Sequence, residues 1–152
     1  TLRSFISEAV PDAEDMEIKF KTVIPTRTFL EKIFLLHEEF QKKNPRSYRM
    51  SRHLYDIERI MDTSFGNEAL KDLKLNDEII AHRNIFNHID GVDYSSHKHD
   101  RINFIPPAEL IDDWRNDYNS LEKHFLYNSA THLSFDQLLD RMLELLKRIR
   151  TM

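Results

Sequence analysis

Only two glycines, Gly66 and Gly91, occur in 152 residues. That scarcity excludes a turn-dense all-β architecture, which needs glycine wherever tight hairpins reverse the chain. The apolar residues instead recur at helical spacing. "PTRTFLEKIFLLHEEFQKK" (25–43) places Phe29, Ile33, Leu36 and Phe40 at i, i+4, i+7 and i+11, one face of a helix. Leu30 and Phe34 widen the stripe, so this helix is expected to be buried on two sides. Pro25 suits its approach, Thr26 or Thr28 can cap it, and Asn44-Pro45 ends it.

Five further helices follow from the same reasoning. "SYRMSRHLYDIERIMDT" (47–63) has Met50, Leu54, Ile57 and Met61 as its core stripe. "NEALKDLKL" (67–75) is a short third helix, and "NDEIIAHRNIFNHI" (76–89) a fourth, capped by Asn76. "PAELIDDWRNDYNSLEKHFL" (107–126) starts on Pro107, and "SFDQLLDRMLELLKRI" (134–149) is capped by Ser134. A loop (90–101) and an extended piece (102–107) lie between the fourth and fifth helices. At the start, "LRSFISEAV" (2–10) and "MEIKFKTVI" (16–24) alternate apolar and polar residues, with Met16, Ile18 and Phe20 on one face. Period 2 is the mark of a half-buried strand. The expected class is therefore α+β, predominantly α. A short two-strand element (1–24) precedes a helical part of about six helices (25–150), all in a single domain spanning 1–152.

Composition narrows the function. Lys+Arg number 22 against 26 Asp+Glu, a net charge of −4, which argues against a protein that coats nucleic acid while leaving room for a local basic patch. The absence of cysteine removes disulfides and thiolate metal sites, and a reducing cytoplasm is the expected compartment. No apolar run is long enough to cross a membrane, and "TLRSFISEAV" lacks the basic and apolar regions of a signal peptide. The chain has no initiator Met and opens on a strand-like segment, so it is expected to be the C-terminal part of a longer protein.

Two groups of residues could carry chemistry. The loop "HIDGVDYSSHKHD" (88–100) gathers His88, Asp90, Asp93, His97, His99 and Asp100, and Gly91 permits a tight turn that would fold them inward. Their spacing fits no specific ligand pattern, and Asp, Gly and Ser are what solvated loops are made of, so no metal site is expected. "HKHD" is similar to the His-Asp pair of HD-type metal phosphohydrolases. There the pair lies within a helix, whereas His99-Asp100 sits in a loop, which sets that reading aside.

The second group is Arg52, His53 and Asp56, with Lys32 on the preceding helix. Asp56 stands off the core stripe beside Arg52 at i−4 and Arg59 at i+3; an exposed Arg–Asp pair at that spacing contributes only about 0.3–0.5 kcal/mol. Lys32 sits about 60° from the centre of its helix's apolar stripe, at the edge of the buried face. A lysine so placed either lays its stem on the core and its ammonium in water, or holds its charge where an anion docks.

"PTRTFLEKIFLLHEE" followed by "RMSRHLYDIERI" resembles the nucleotidyltransferase toxins of the AbiEii/AbiGii type. These carry a Thr-aromatic-x-Glu-Lys helix and then a Tyr-Asp-Leu/Ile helix. "DYNSLEKHFLYNSATHLSFDQLLDRMLELLKRI" is similar to the family's closing region, so the resemblance runs from about residue 11 to 149. It implies that Lys32 contacts the triphosphate of an NTP and that Asp56 positions or deprotonates the acceptor. Arg27, Arg52 and His53 would lie near the bound phosphates. Transfer to an acceptor such as tRNA, dependence on Mg2+ and a cognate antitoxin partner are implied in the same way. The family's N-terminal Gly-Gly/Ser and Asp-x-Asp motifs are absent: no glycine precedes residue 25, and Asp12, Glu14 and Asp15 fall in a turn. The resemblance thus implies a C-terminal region holding half of an active site, inactive alone, with neither Mg2+ nor NTP held by this chain by itself. The alternative is a non-catalytic helical module that binds a partner protein or nucleic acid.

Overall fold

The computed structural model describes residues 21–125 and 132–152. Helix α1 (Pro25–Glu39) is the centre of the packing. It starts on Pro25 at its first position, after Ile24 in extended geometry, with no side-chain cap. Proline there has no N–H to satisfy and a φ already suited to the helix, so neither Thr26 nor Thr28 is needed as a cap. Phe29, Leu30, Ile33, Phe34 and Leu36 are all buried, which gives α1 the two covered sides its widened stripe demands. The helix stops at Glu39, before the expected end, where the Glu39 carboxylate accepts bonds from Lys42 and Arg46 and the chain turns around it.

Helix α2 (Ser51–Met61) buries the stripe Met50, Leu54, Ile57 and Met61 and packs on α1. Helix α3 (Ser64–Lys71) follows after Thr63, whose hydroxyl accepts from the Gly66 N–H. A Cβ at Gly66 would stand 2.5 Å from the Ile60 carbonyl oxygen and 2.8 Å from that of Met61, so this close approach of α3 to the end of α2 requires glycine. Helix α4 (Leu73–Phe86) begins earlier than the sequence suggested. Asp72, not Asn76, is its cap, accepting from the Leu75 N–H at 2.9 Å. Asn76 is buried one turn inside, where its amide donates to the carbonyls of Ala69 and Asp72.

Short 3-10 turns at Tyr94–His97 and Ala108–Leu110 lead to α5 (Ile111–Phe125) and, after a segment outside the described residues, α6 (Phe135–Arg150). Pro107 precedes the second 3-10 turn and is not itself helical. Ser134 and Gln137 form a reciprocal capping box at the start of α6. Trp114 and Tyr118 from α5 and Leu138, Met142, Leu145 and Ile149 from α6 join the α1–α2 residues in a single core.

The expected β element is not supported. Among the described residues the chain is helical, with no strand, so the α+β class is corrected to an all-helical one. Residues 2–10 and 16–20 lie outside the described residues. The described end of the second expected strand, 21–24, is irregular, with Val23 61% and Ile24 58% exposed. Alternation alone does not hold a strand whose apolar side chains have nothing to pack on. No helix among the described residues is long and apolar enough to cross a membrane.

Candidate functional site

Because α1 and α2 pack side by side, the edge of α1's buried face meets the polar face of α2. Lys32 Nζ lies 2.7 Å from Asp56 Oδ2, with side chains 21% and 40% exposed. The pairing expected between Asp56 and Arg52 does not form: Asp56 turns to the neighbouring helix instead. Arg52 is exposed and makes no ion pair among the described residues. Arg27 is engaged by Glu31 at 2.8 Å, one turn along α1.

His53 lies three residues before Asp56. Its Nδ1 is buried without a hydrogen-bond partner among the described residues. Burial first, then the charges of Lys32 and Arg52, push its imidazole down to about 4, against a weaker opposing pull from Asp56. The ring is therefore neutral at pH 7. The structure brings Lys32, Asp56 and His53 together around one α1–α2 edge, with Arg52 beside them on the solvent side and Arg27 tied to Glu31.

The 88–100 loop does not converge. His97 turns inward, its Nε2 3.2 Å from Glu38 Oε1, and stacks on Tyr94. Gly91, at φ 83°, makes the tight turn. Asp93 accepts from the Ser95 N–H and caps its own 3-10 turn, Asp90 is fully exposed, and His99 and Asp100 line a cavity that His97 and Arg150 also border. No three His, Asp or Glu side chains among the described residues are grouped to hold a metal. The α1–α2 site offers one carboxylate, Asp56, and it faces an ammonium. The described residues therefore do not fit a magnesium site, which wants several oxygen ligands.

Sequence reasoning missed two buried glutamates. Glu38 accepts a two-pronged contact from Arg83, Nε and Nη2 each at 2.6 Å, and is 1% exposed. Burial works to raise its pKa, but the bonds from Arg83 and His97 outweigh it and hold the carboxyl low. Burial likewise opposes the ionisation of Glu39, yet the Arg46 and Lys42 hydrogen bonds bring its pKa to about 2. The available signal was register: Glu38 falls four residues after Phe34, on the second apolar stripe of α1. His37 is buried beside them, and its Nδ1 accepts from the Asn103 N–H at 3.0 Å.

The family profile described as nucleotidyl transferase AbiEii toxin, type IV toxin–antitoxin system, matches residues 3–141. No curated protein shows a significant match, and neither does any solved structure.

Proposed function

The chain belongs to the AbiEii family of nucleotidyltransferase toxins, and from that premise we propose that Lys32 and Asp56 form one half of a nucleotide-transfer site. The observation that carries this is their 2.7 Å contact across two helices. An ammonium with an apolar stem beneath it is a compact phosphate anchor. On this reading Lys32 exchanges Asp56 for the triphosphate of an incoming NTP. The released carboxylate then accepts the proton of the acceptor hydroxyl. The hydroxyl oxygen bonds to the α-phosphorus, the bond from that phosphorus to the bridging oxygen breaks, and pyrophosphate leaves. Neutral His53 and the cation Arg52 flank the same edge and would meet the phosphates; Arg27 would do so only on leaving Glu31.

The acceptor we propose is an RNA such as tRNA, and the partner that restrains the protein a cognate antitoxin. The described residues offer no magnesium site. The test is transfer of label from α-32P-NTPs to RNA by the full-length protein. Wild type should label RNA, while Lys32→Ala should lose the activity at an almost unchanged melting temperature. Full activity in that variant would leave the pair a structural contact outside the transfer chemistry, and no labelling by wild type would favour the non-catalytic binding module.

A further inference from the structure

The link from α1 to α2, with the first turn of α2, is the most basic stretch of the chain. Between Phe40 and Asp56 it carries Lys42, Lys43, Arg46, Arg49 and Arg52 and no acid. Lys42 and Arg46 are engaged by Glu39. Lys43, Arg49 and Arg52 are exposed, and their side chains pair with no carboxylate among the described residues. Tyr48 stands among them, 80% exposed. Tyr48, Arg49 and Arg52 form one wall of a cavity of about 370 Å³, and Asp117, Ser120 and Leu121 of α5 form the other.

This wall is held in a costly shape. Arg49 has φ 57°, in the left-handed region where glycine is at ease and a long side chain is not. Asp117 fixes it there: its carboxylate accepts from the Arg49 N–H at 2.5 Å, the Ser51 N–H at 2.9 Å and the Ser51 hydroxyl at 2.5 Å. The cavity's one carboxylate thus turns both oxygens to the backbone and hydroxyl of the link, and neither the Arg49 nor the Arg52 guanidinium has a carboxylate partner among the described residues. A turn with only a structural duty would be served better by glycine; strain kept at a charged residue points to a use for the charge.

We propose that this cavity docks a single-stranded nucleic-acid segment, with one unpaired base against Tyr48 and a backbone phosphate on Arg49, while Arg52 stands where the cavity meets the edge that takes the NTP phosphates. Aromatic faces interleaved with unpaired cations suit a strand that offers alternating bases and phosphates. An acidic peptide would use the cations but not the ring. The position also fits, and here the inference rests on the transferase reading. Arg52 lies one turn before Asp56, about 6 Å along the helix axis, so a strand held at the cavity brings its end to the Lys32–Asp56 edge.

The test measures binding of a fluorescein-labelled single-stranded RNA of about ten nucleotides to the full-length protein by anisotropy, at low and moderate salt. Tyr48→Ala and Arg49→Gly should each weaken binding about tenfold. Arg49→Gly should also reduce the salt slope by about one while melting no lower than wild type, because glycine relaxes the turn. RNA affinity unchanged in both variants, or no RNA binding by wild type while a polyglutamate peptide binds, overturns the proposal. NTP-dependent labelling of the RNA is read in parallel. Loss of RNA affinity in the variants with no labelling by wild type defeats the transferase reading and leaves the docking surface standing. Labelling by wild type with unchanged RNA affinity in the variants does the reverse.

Discussion

Lys32 Nζ lies 2.7 Å from Asp56 Oδ2 across two helices, and neither residue has another ion-pair partner among the described residues. Both side chains reach solvent, so the contact is screened and contributes little to folding. A double-mutant cycle with Lys32→Ala and Asp56→Asn, followed by urea unfolding, should give a coupling of about 0.2–1 kcal/mol that shrinks with added salt. A coupling several times larger would mark the pair as a structural brace.

Glu38 and Arg83 behave in the opposite way. Their two-pronged contact is buried, and His97 completes it. Glu38→Gln leaves the guanidinium in the interior without its counter-charge and should cost about 3–5 kcal/mol in urea unfolding. Replacing both residues by leucine should cost much less than the sum of the two single changes.

Acid should destabilise the protein in two stages. The His53 imidazole is lowered from 6.5 to about 4, burial first and then Lys32. His37 is lowered too, by burial first and then by the neighbouring His97. Unfolded histidine takes up protons that the folded protein refuses, so stability falls as pH drops from about 6.5 toward 4. Each such histidine contributes a slope of up to about 1.4 kcal/mol per pH unit. The second stage belongs to Glu39, lowered from 4.5 to about 2; its share of stability is present above 4.5 and is lost as pH falls toward 2. Urea midpoints across pH should show both limbs. His53→Gln should flatten the upper one and Glu39→Gln the lower one.

Gly66→Ala tests the join of α2 to α3. Its Cβ would meet the Ile60 and Met61 carbonyls, which are backbone atoms that cannot swing aside. The expected loss is about 1–3 kcal/mol, read as a lower urea midpoint.

Local periodicity carried most of this fold. The Met50, Leu54, Ile57 and Met61 stripe and the Ser134 cap are both present where the spacing of residues put them. Features set by distant neighbours were not legible. Asp117 is far from Arg49 in sequence and becomes its hydrogen-bond partner only once α5 packs beside α2. Asp72 and Asn76 are both good capping residues one turn apart, and packing against α3 decides between them by burying Asn76 against the Ala69 carbonyl. Asp56 had two nearby arginines in sequence, yet the lysine of the adjacent helix took it. The alternation before residue 25 suggested strands, but the described part of it has no neighbour to pair with.

The proposal that Lys32 moves from Asp56 to a phosphate makes a signed claim about affinity. Calorimetric titration of a non-hydrolysable NTP analogue into the full-length protein tests it most directly. Lys32→Ala should weaken binding by about tenfold or more, the loss of one charge-assisted contact. Asp56→Asn should bind as tightly as wild type or more tightly, because it removes the carboxylate that competes for the ammonium. Wild-type affinity in Lys32→Ala, or weakened affinity in Asp56→Asn, would contradict the account.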